Sequence, residues 1–148
     1  ASRETLLSVQ HEFWIRRREI EQKETQYLLG AVHALGKNDH VAAVRWYEKV
    51  EEDLDKIDPE THAPGSVGDR LVSIGVSYWT IGQKEKALEL TERGRLRIDA
   101  LVKSGRLPDS SLATAFQNLS IMHASLGHDE RSARYTELSR NLTRDLRR

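Results

Sequence analysis

Apolar side chains recur along most of this 148-residue chain at the three- and four-residue spacing of amphipathic helices. Turn residues at Gly36-Lys37-Asn38, Gly82 and Gly127, and breaker-rich loops at 58–65 and 104–109, divide the pattern into helical stretches. No stretch shows the alternating β-branched and aromatic residues of a strand. The pattern therefore predicts an all-α protein of about seven helices, namely one leading helix followed by three helix hairpins.

A short block of residues recurs three times. A large apolar residue followed by a very small one occurs every 45 residues, at Leu29-Gly30, Ile74-Gly75 and Leu119-Ser120. A ring lies three residues after each small residue, as His33, Tyr78 or His123. Ala43 and Ala87, in the second helices, match at 44 residues instead, so the register of residues 23–36 stays open by one residue. A fixed interval of this length is typical of a stacked array of repeats.

The repeat predicts four segments. Residues 1–22 would form a leading helix, which either caps the array or is the second helix of an upstream repeat. Residues 23–58, 66–104 and 109–148 would form three hairpins, the last with the terminal helix. A hairpin cannot cover its apolar face alone, so the three must stack. We expect small residues, Gly75 above all, where two helix backbones approach closely.

The second hairpin carries the clearest motif: Leu71, Ile74-Gly75, Tyr78, Gly82, Ala87, Thr91 and Gly94. The third follows with Phe116, Leu119-Ser120, His123, Gly127, Ser132, Thr136 and Ser139, and the first matches through Leu29-Gly30, Ala43, Tyr47 and Val50. These residues resemble the tetratricopeptide repeat over about residues 23–146. Their interval exceeds the common 34 residues and is similar to the extended repeats of kinesin light chains and partner-of-Inscuteable proteins. The resemblance implies a right-handed superhelix of antiparallel hairpins that binds other proteins.

In that family, the first helices of successive repeats line a concave groove in which peptides dock. The resemblance implies groove positions at Tyr27, Leu28, Ala31, Leu35, Val72, Ser73, Val76, Trp79, Gln117, Asn118, Ile121 and Ala124. This mostly apolar lining lacks the lysine and asparagine set with which chaperone-adaptor members hold a C-terminal carboxylate. It suits an amphipathic helix or an extended apolar peptide. Trp79 is the expected anchor, because aromatic side chains dominate many interfaces.

Charge and motif content narrow the classes of function. The 23 basic and 23 acidic side chains cancel, so no global field favours nucleic acid or a membrane surface. The chain has no cysteine, and no apolar run approaches the roughly 20 residues of a membrane span. His11-Glu12 begins a zinc-protease motif, but Ile15 occupies the position of the second histidine. We therefore expect a cytoplasmic, non-enzymatic protein with a protein or peptide partner, and neither metal nor cofactor.

Two alternatives to peptide binding stay open. The array would self-associate as a scaffold through apolar side chains near its two ends: Phe13, Trp14, Tyr135, Leu138 and Leu142. It would otherwise serve as a regulatory domain of a larger signalling or transcription protein. The leading helix either caps the first repeat or fills the groove.

Overall fold

The computed structural model describes residues 10–12, 19, 22, 26–51 and 66–146. These residues are helical apart from short turns and contain no strand, which confirms the all-α prediction for this part of the chain. The helices are α1 (residues 26–36), α2 (His40–Glu48), α3 (Ser66–Thr80), α4 (Lys84–Lys103), α5 (Ala113–Ser125) and α6 (Asp129–Leu146). A short 3-10 helix, Asp109–Leu112, precedes α5. Residues 10–12, 19 and 22 are also helical, and the rest of the expected leading helix, with Phe13 and Trp14, lies outside the described residues.

Three turns join the helices of the successive pairs in the same way. Each turn contains one residue with a left-handed backbone: Asn38 (φ 59°), Gly82 (φ 92°) and Gly127 (φ 79°). The next residue donates its peptide N–H to a carbonyl five residues back: Asp39 to Ala34 at 2.9 Å, Gln83 to Tyr78 at 2.9 Å, and His128 to His123 at 2.8 Å. These bonds close the last turn of α1, α3 and α5, as in a Schellman motif.

This geometry settles the register of the first hairpin. Asn38 precedes Gly82 by 44 residues, so the 44-residue interval of the second helices applies to α1 as well. Ala31, which is fully buried, therefore takes the place of Gly75, and Ala34 takes the place of Tyr78. Alignment of α1 on Leu29-Gly30 is wrong by one residue. The assignment of His33 to the ring position is also wrong, because its side chain is exposed.

Small residues bring α3 and α4 together. A Cβ atom on Gly75 would lie 3.2 Å from the carbonyl oxygen of Ala87. Two helical turns away on both helices, a Cβ atom on Gly94 would lie 2.7 Å from the carbonyl oxygen of Gly68. The expected role of Gly75 at a close approach is thus confirmed. Gly30 serves a different purpose, because the atoms that its missing Cβ would meet belong to the ring of Trp46.

Ser120 holds the corresponding place between α5 and α6. Its hydroxyl lies 3.2 Å from the carbonyl oxygen of Ser132 and 2.6 Å from Oγ1 of Thr136. The Ser132 hydroxyl in turn donates to the carbonyl oxygen of Ser120 at 2.9 Å. Hydroxyl hydrogen bonds therefore connect α5 and α6 where α3 and α4 pack through Gly75 and Thr91.

Two clusters of apolar side chains form the core of the described part of the chain. The main cluster contains buried side chains of α1 to α5: Leu28, Ala31, Val44, Tyr47, Val50, Val67, Leu71, Ile74, Tyr78, Ala87, Leu90 and Met122. In the second cluster, Ile98 of α4 meets Leu112 and Phe116, and Tyr135, Leu138 and Leu142 of α6 pack against them. None of the helices in the described ranges combines the length and the apolar character needed to cross a bilayer.

Candidate binding surface

Helices α3 and α5 enclose a surface cavity of about 160 Å³. It is lined by five side chains, Val76, Trp79, Asn118, Ile121 and Met122. None of the five carries a charge or titrates. The cavity therefore offers van der Waals contact and one amide, and has no group suited to general acid–base chemistry.

The α3 wall of the cavity combines an exposed and an anchored side chain. Val76 is 38% exposed, whereas Trp79 is half-buried and packs against the main core. Nζ of Lys84, the first residue of α4, lies 5.0 Å from the centroid of the Trp79 ring. A cation at this distance from an indole face is attracted to the ring. The wall is thus anchored on the core beneath it, and its Trp79 ring has a cation against one face.

The α5 wall is more exposed, and the floor is buried. Ile121 is 65% exposed, the largest exposed fraction among the large apolar side chains of the described residues. Met122, at the floor, is 4% exposed, and its sulfur lies 3.6 Å from the Thr91 hydroxyl. Asn118 is half-buried beside them. An isoleucine this exposed next to a preformed cavity is a natural contact for an apolar ligand group.

The structure brings together four residues that the sequence predicts for one groove: Val76, Trp79, Asn118 and Ile121. Of the other predicted positions on α3 and α5, Ser73 is half-buried and Gln117 and Ala124 are exposed. Met122, the fifth lining residue, is not among the predicted groove positions. Its place on α5 next to Ile121 was the one available signal.

Three predicted groove residues are core residues instead. Leu28 and Ala31 are 1% and 0% exposed and belong to the main cluster. Val72 is 4% exposed and faces Gly94 of α4. Their assignment to a groove is corrected, because a partner could not reach them. The remaining positions on α1, Tyr27 and Leu35, are half-buried, and the Tyr27 ring packs at 5.8 Å from Trp46.

The corrected register adds Val32 of α1 to two of the predicted groove residues, Val76 and Ile121. Val32 lies 44 residues before Val76, and Ile121 lies 45 residues after it, so all three occupy the same position of their hairpins. All three are exposed, at 36%, 38% and 65%. Leu29, 50% exposed, lies one helical turn from Val32. We call Val32, Val76 and Ile121 the apolar stripe.

The helices fall into two groups that differ in how many of their exposed side chains are charged. On α1, α3 and α5, Asp69 is the only charged residue among the exposed side chains of the described ranges. The exposed side chains of α2, α4 and α6 include many charges: Arg45, Glu48, Lys84, Glu85, Glu89, Lys103, Asp129, Glu130, Arg131, Arg134, Glu137 and Arg140. The apolar stripe therefore lies on helices that expose almost no charge.

The predicted self-association residues of α6 are engaged within the chain. Tyr135, Leu138 and Leu142 are half-buried and pack against the second cluster. The Tyr135 hydroxyl donates to Oε1 of Glu92 at 2.5 Å. Phe13 and Trp14, the other members of that set, lie outside the described residues.

Perturbed titratable groups lie in the clusters and turns, away from the cavity. Burial raises the pKa of the Tyr47 and Tyr78 phenols well above the usual range. Burial and the hydrogen bond to Glu92 raise the pKa of Tyr135 to about 12. Within the described residues, no three histidine, aspartate or glutamate side chains come together as a metal site would require.

Comparison with models of known families, with curated proteins and with solved structures finds no match to this chain.

Proposed function

We propose that this chain is a cytoplasmic protein-interaction module of the tetratricopeptide type, whose partner is a predominantly apolar peptide segment laid across α1, α3 and α5. The observation that carries the proposal is the cavity between α3 and α5, adjoined by two residues of the apolar stripe. An apolar side chain of the partner would enter this cavity and contact Trp79 and Ile121.

The arrangement of the hairpins supports the family assignment. Left-handed residues close the three turns at intervals of 44 and 45 residues, and Gly75 and Ser120 take equivalent places against α4 and α6. A stacked array of equivalent hairpins is the architecture that the tetratricopeptide resemblance implies. In such an array, each hairpin would place its residue of the apolar stripe at the interface with a bound peptide.

Charge specifies the chemistry of the partner. Burying a charged side chain of the partner against Val76 and Ile121 would leave it without a counter-charge, which is costly. Lys84, beside the Trp79 ring, is the exception. The best-fitting segment therefore has apolar residues over the stripe and an acidic residue facing Lys84.

A selection from displayed random peptides tests the proposal. We expect the selected peptides to be apolar, with an acidic residue at one end. Ile121→Asp should weaken their binding at least about tenfold, because it places a carboxylate against an apolar ligand. Ile121 is exposed enough for this variant to stay folded. Trp79→Ala is a poorer test, since Trp79 also packs against the core.

Leu96→Asp is the matched control, because Leu96 is a 56% exposed leucine on α4. It should bind the selected peptides as the wild type does. Equal binding by wild type and Ile121→Asp, or selection of strongly charged peptides, would refute the proposal.

A further inference from the structure

His123 and His128 meet at the turn between α5 and α6, apart from the cavity. Their Nδ1 atoms are 3.0 Å apart. The His123 ring is 3% exposed and stacks on Tyr135 of α6, with centroids 5.7 Å apart and planes 7° from parallel. The peptide N–H of His128 donates to the carbonyl oxygen of His123 at 2.8 Å. Side chains and backbone thus close this turn together.

The bond between the two rings depends on their protonation. One Nδ1 atom must donate and the other must accept. One added proton is compatible with the bond, because an imidazolium can donate to a neutral imidazole. A second added proton makes both Nδ1 atoms donors, so the bond is lost and two cations face each other.

The surroundings of His123 oppose its protonation on balance. Burial lowers the pKa of His123, and His128 lowers it further. Glu92 of α4 acts in the opposite direction, and Arg131 of α6 adds to the lowering. The Glu92 carboxylate already accepts hydrogen bonds from Tyr135 and from Nε of Arg95.

We propose that His123 and His128 form an acid-sensitive latch, which holds α6 against α5 and α4 at neutral pH and releases it when both rings are protonated. Release would also remove the stacking of Tyr135 on His123. The folded state binds fewer protons than the unfolded state between the lowered pKa of His123 and its ordinary value of 6.5. By linkage, the stability of this hairpin falls as the pH decreases through that window. The latch is independent of peptide binding at the cavity.

Amide hydrogen exchange at pH 7.5 and pH 5.0, corrected for intrinsic exchange rates, tests the latch. In the wild-type protein, protection of α6 should fall at least about tenfold at pH 5.0 relative to protection of α3. His123→Phe keeps an aromatic ring on Tyr135 but removes both the inter-ring bond and the titration, so the protection of α6 relative to α3 should no longer fall between pH 7.5 and pH 5.0. His33→Gln, which changes an exposed histidine of α1, should behave as the wild type. Equal acid loss in wild type and His123→Phe would overturn the proposal.

A second variant distinguishes the latch from simple packing and does not depend on the folding of His123→Phe. His128→Asn leaves the His123 ring in place and removes the neighbouring imidazole. Because His128 contributes to the lowered pKa of His123, nitrogen-15 NMR titration of the rings should show the His123 midpoint at higher pH in this variant. An unchanged midpoint would show that the two rings do not titrate as a pair.

Discussion

A Cβ atom on Gly75 would lie 2.6 Å from the hydroxyl oxygen of Thr91, closer than real Cβ atoms come to any neighbour. The hydroxyl cannot turn away without loss, because it donates to the carbonyl oxygen of Ala87 at 2.8 Å. The same carbonyl lies 3.2 Å from the absent Cβ. Contact between α3 and α4 therefore requires a glycine at position 75.

Gly75→Ala should lower the free energy of unfolding by about 1–3 kcal/mol, because overpacking outweighs the better helix propensity of alanine. Urea unfolding followed by circular dichroism measures this loss. Gly36→Ala is the matched control, since no atom lies within 4 Å of the added methyl group.

Thr91→Ala should relieve part of the strain, so that the double variant is more stable than the sum of the two single changes implies. Strict additivity of the two free-energy changes would mean that the Thr91 hydroxyl does not obstruct the methyl group added at position 75.

Tyr135 connects α6 to α4 through a hydrogen bond to a carboxylate, and its loss should be measurable. Tyr135→Phe removes the 2.5 Å bond to Glu92. Hydrogen bonds to charged groups contribute about 1.5–3 kcal/mol, so we expect a loss in that range in urea unfolding at pH 7. A loss within a few tenths of a kcal/mol would show that Arg95 alone satisfies Glu92.

The same phenol predicts an alkaline effect. Its pKa is raised from 10.0 to about 12, by burial and then by the bond to Glu92. A raised pKa in the folded state gives stability that is fully present below pH 10 and is lost as the pH rises through 12. The wild type should lose more stability over this window than Tyr135→Phe does. Glu92→Gln should move the phenolate absorbance transition of Tyr135 to lower pH, since both contributions of Glu92 raise the pKa.

Alanine and glycine substitutions should differ in their effect on stability at the turn residues that have a left-handed backbone. Asn38 has φ 59° and Gly82 has φ 92°. Gly82→Ala and Asn38→Ala should each cost about 1–2 kcal/mol, because a Cβ is disfavoured there, whereas asparagine tolerates this conformation. Asn38→Gly should be neutral or slightly stabilising. Thermal unfolding of the three variants checks the order, and a destabilised Asn38→Gly would contradict it.

Sequence reasoning located the helices and hairpins because the turn residues and apolar spacing are local signals. Gly82 and Gly127 mark two turns directly. In the first hairpin Asn38 takes the left-handed place, whereas Gly36 is the last residue of the helix. The predicted turn, Gly36-Lys37-Asn38, contains both residues. The 44-residue match of the second helices was the signal that could have identified Asn38 as the equivalent of Gly82.

The error in α1 also has a physical cause. Gly30 and Ala31 are both small, so either could lie at a close helix contact. Gly30 makes room for the Trp46 ring, a contact between different helices that no local pattern encodes. The cavity residues of α3 and α5 were found because those hairpins have glycines in their turns. The α1 residues were misplaced together with their register.

Substitution by aspartate should have opposite effects on folding at two neighbouring residues of α1. Ala31 is fully buried and Val32 is 36% exposed on the apolar stripe. Ala31→Asp should unfold the protein or lower its melting temperature severely, because it buries an unpaired charge among Leu28 and its neighbours.

Val32→Asp should leave the melting temperature within a few degrees of the wild type, since surface substitutions rarely exceed about 0.5 kcal/mol. It should also weaken the binding of the selected peptides, because it places a carboxylate on the apolar stripe. Circular dichroism melting and fluorescence polarisation of the labelled peptides measure the two effects. In the 45-residue register, position 31 would be the exposed one. A folded Ala31→Asp variant together with an unfolded Val32→Asp variant would therefore support that register. A folded Val32→Asp with unchanged peptide affinity would confine the binding surface to α3 and α5.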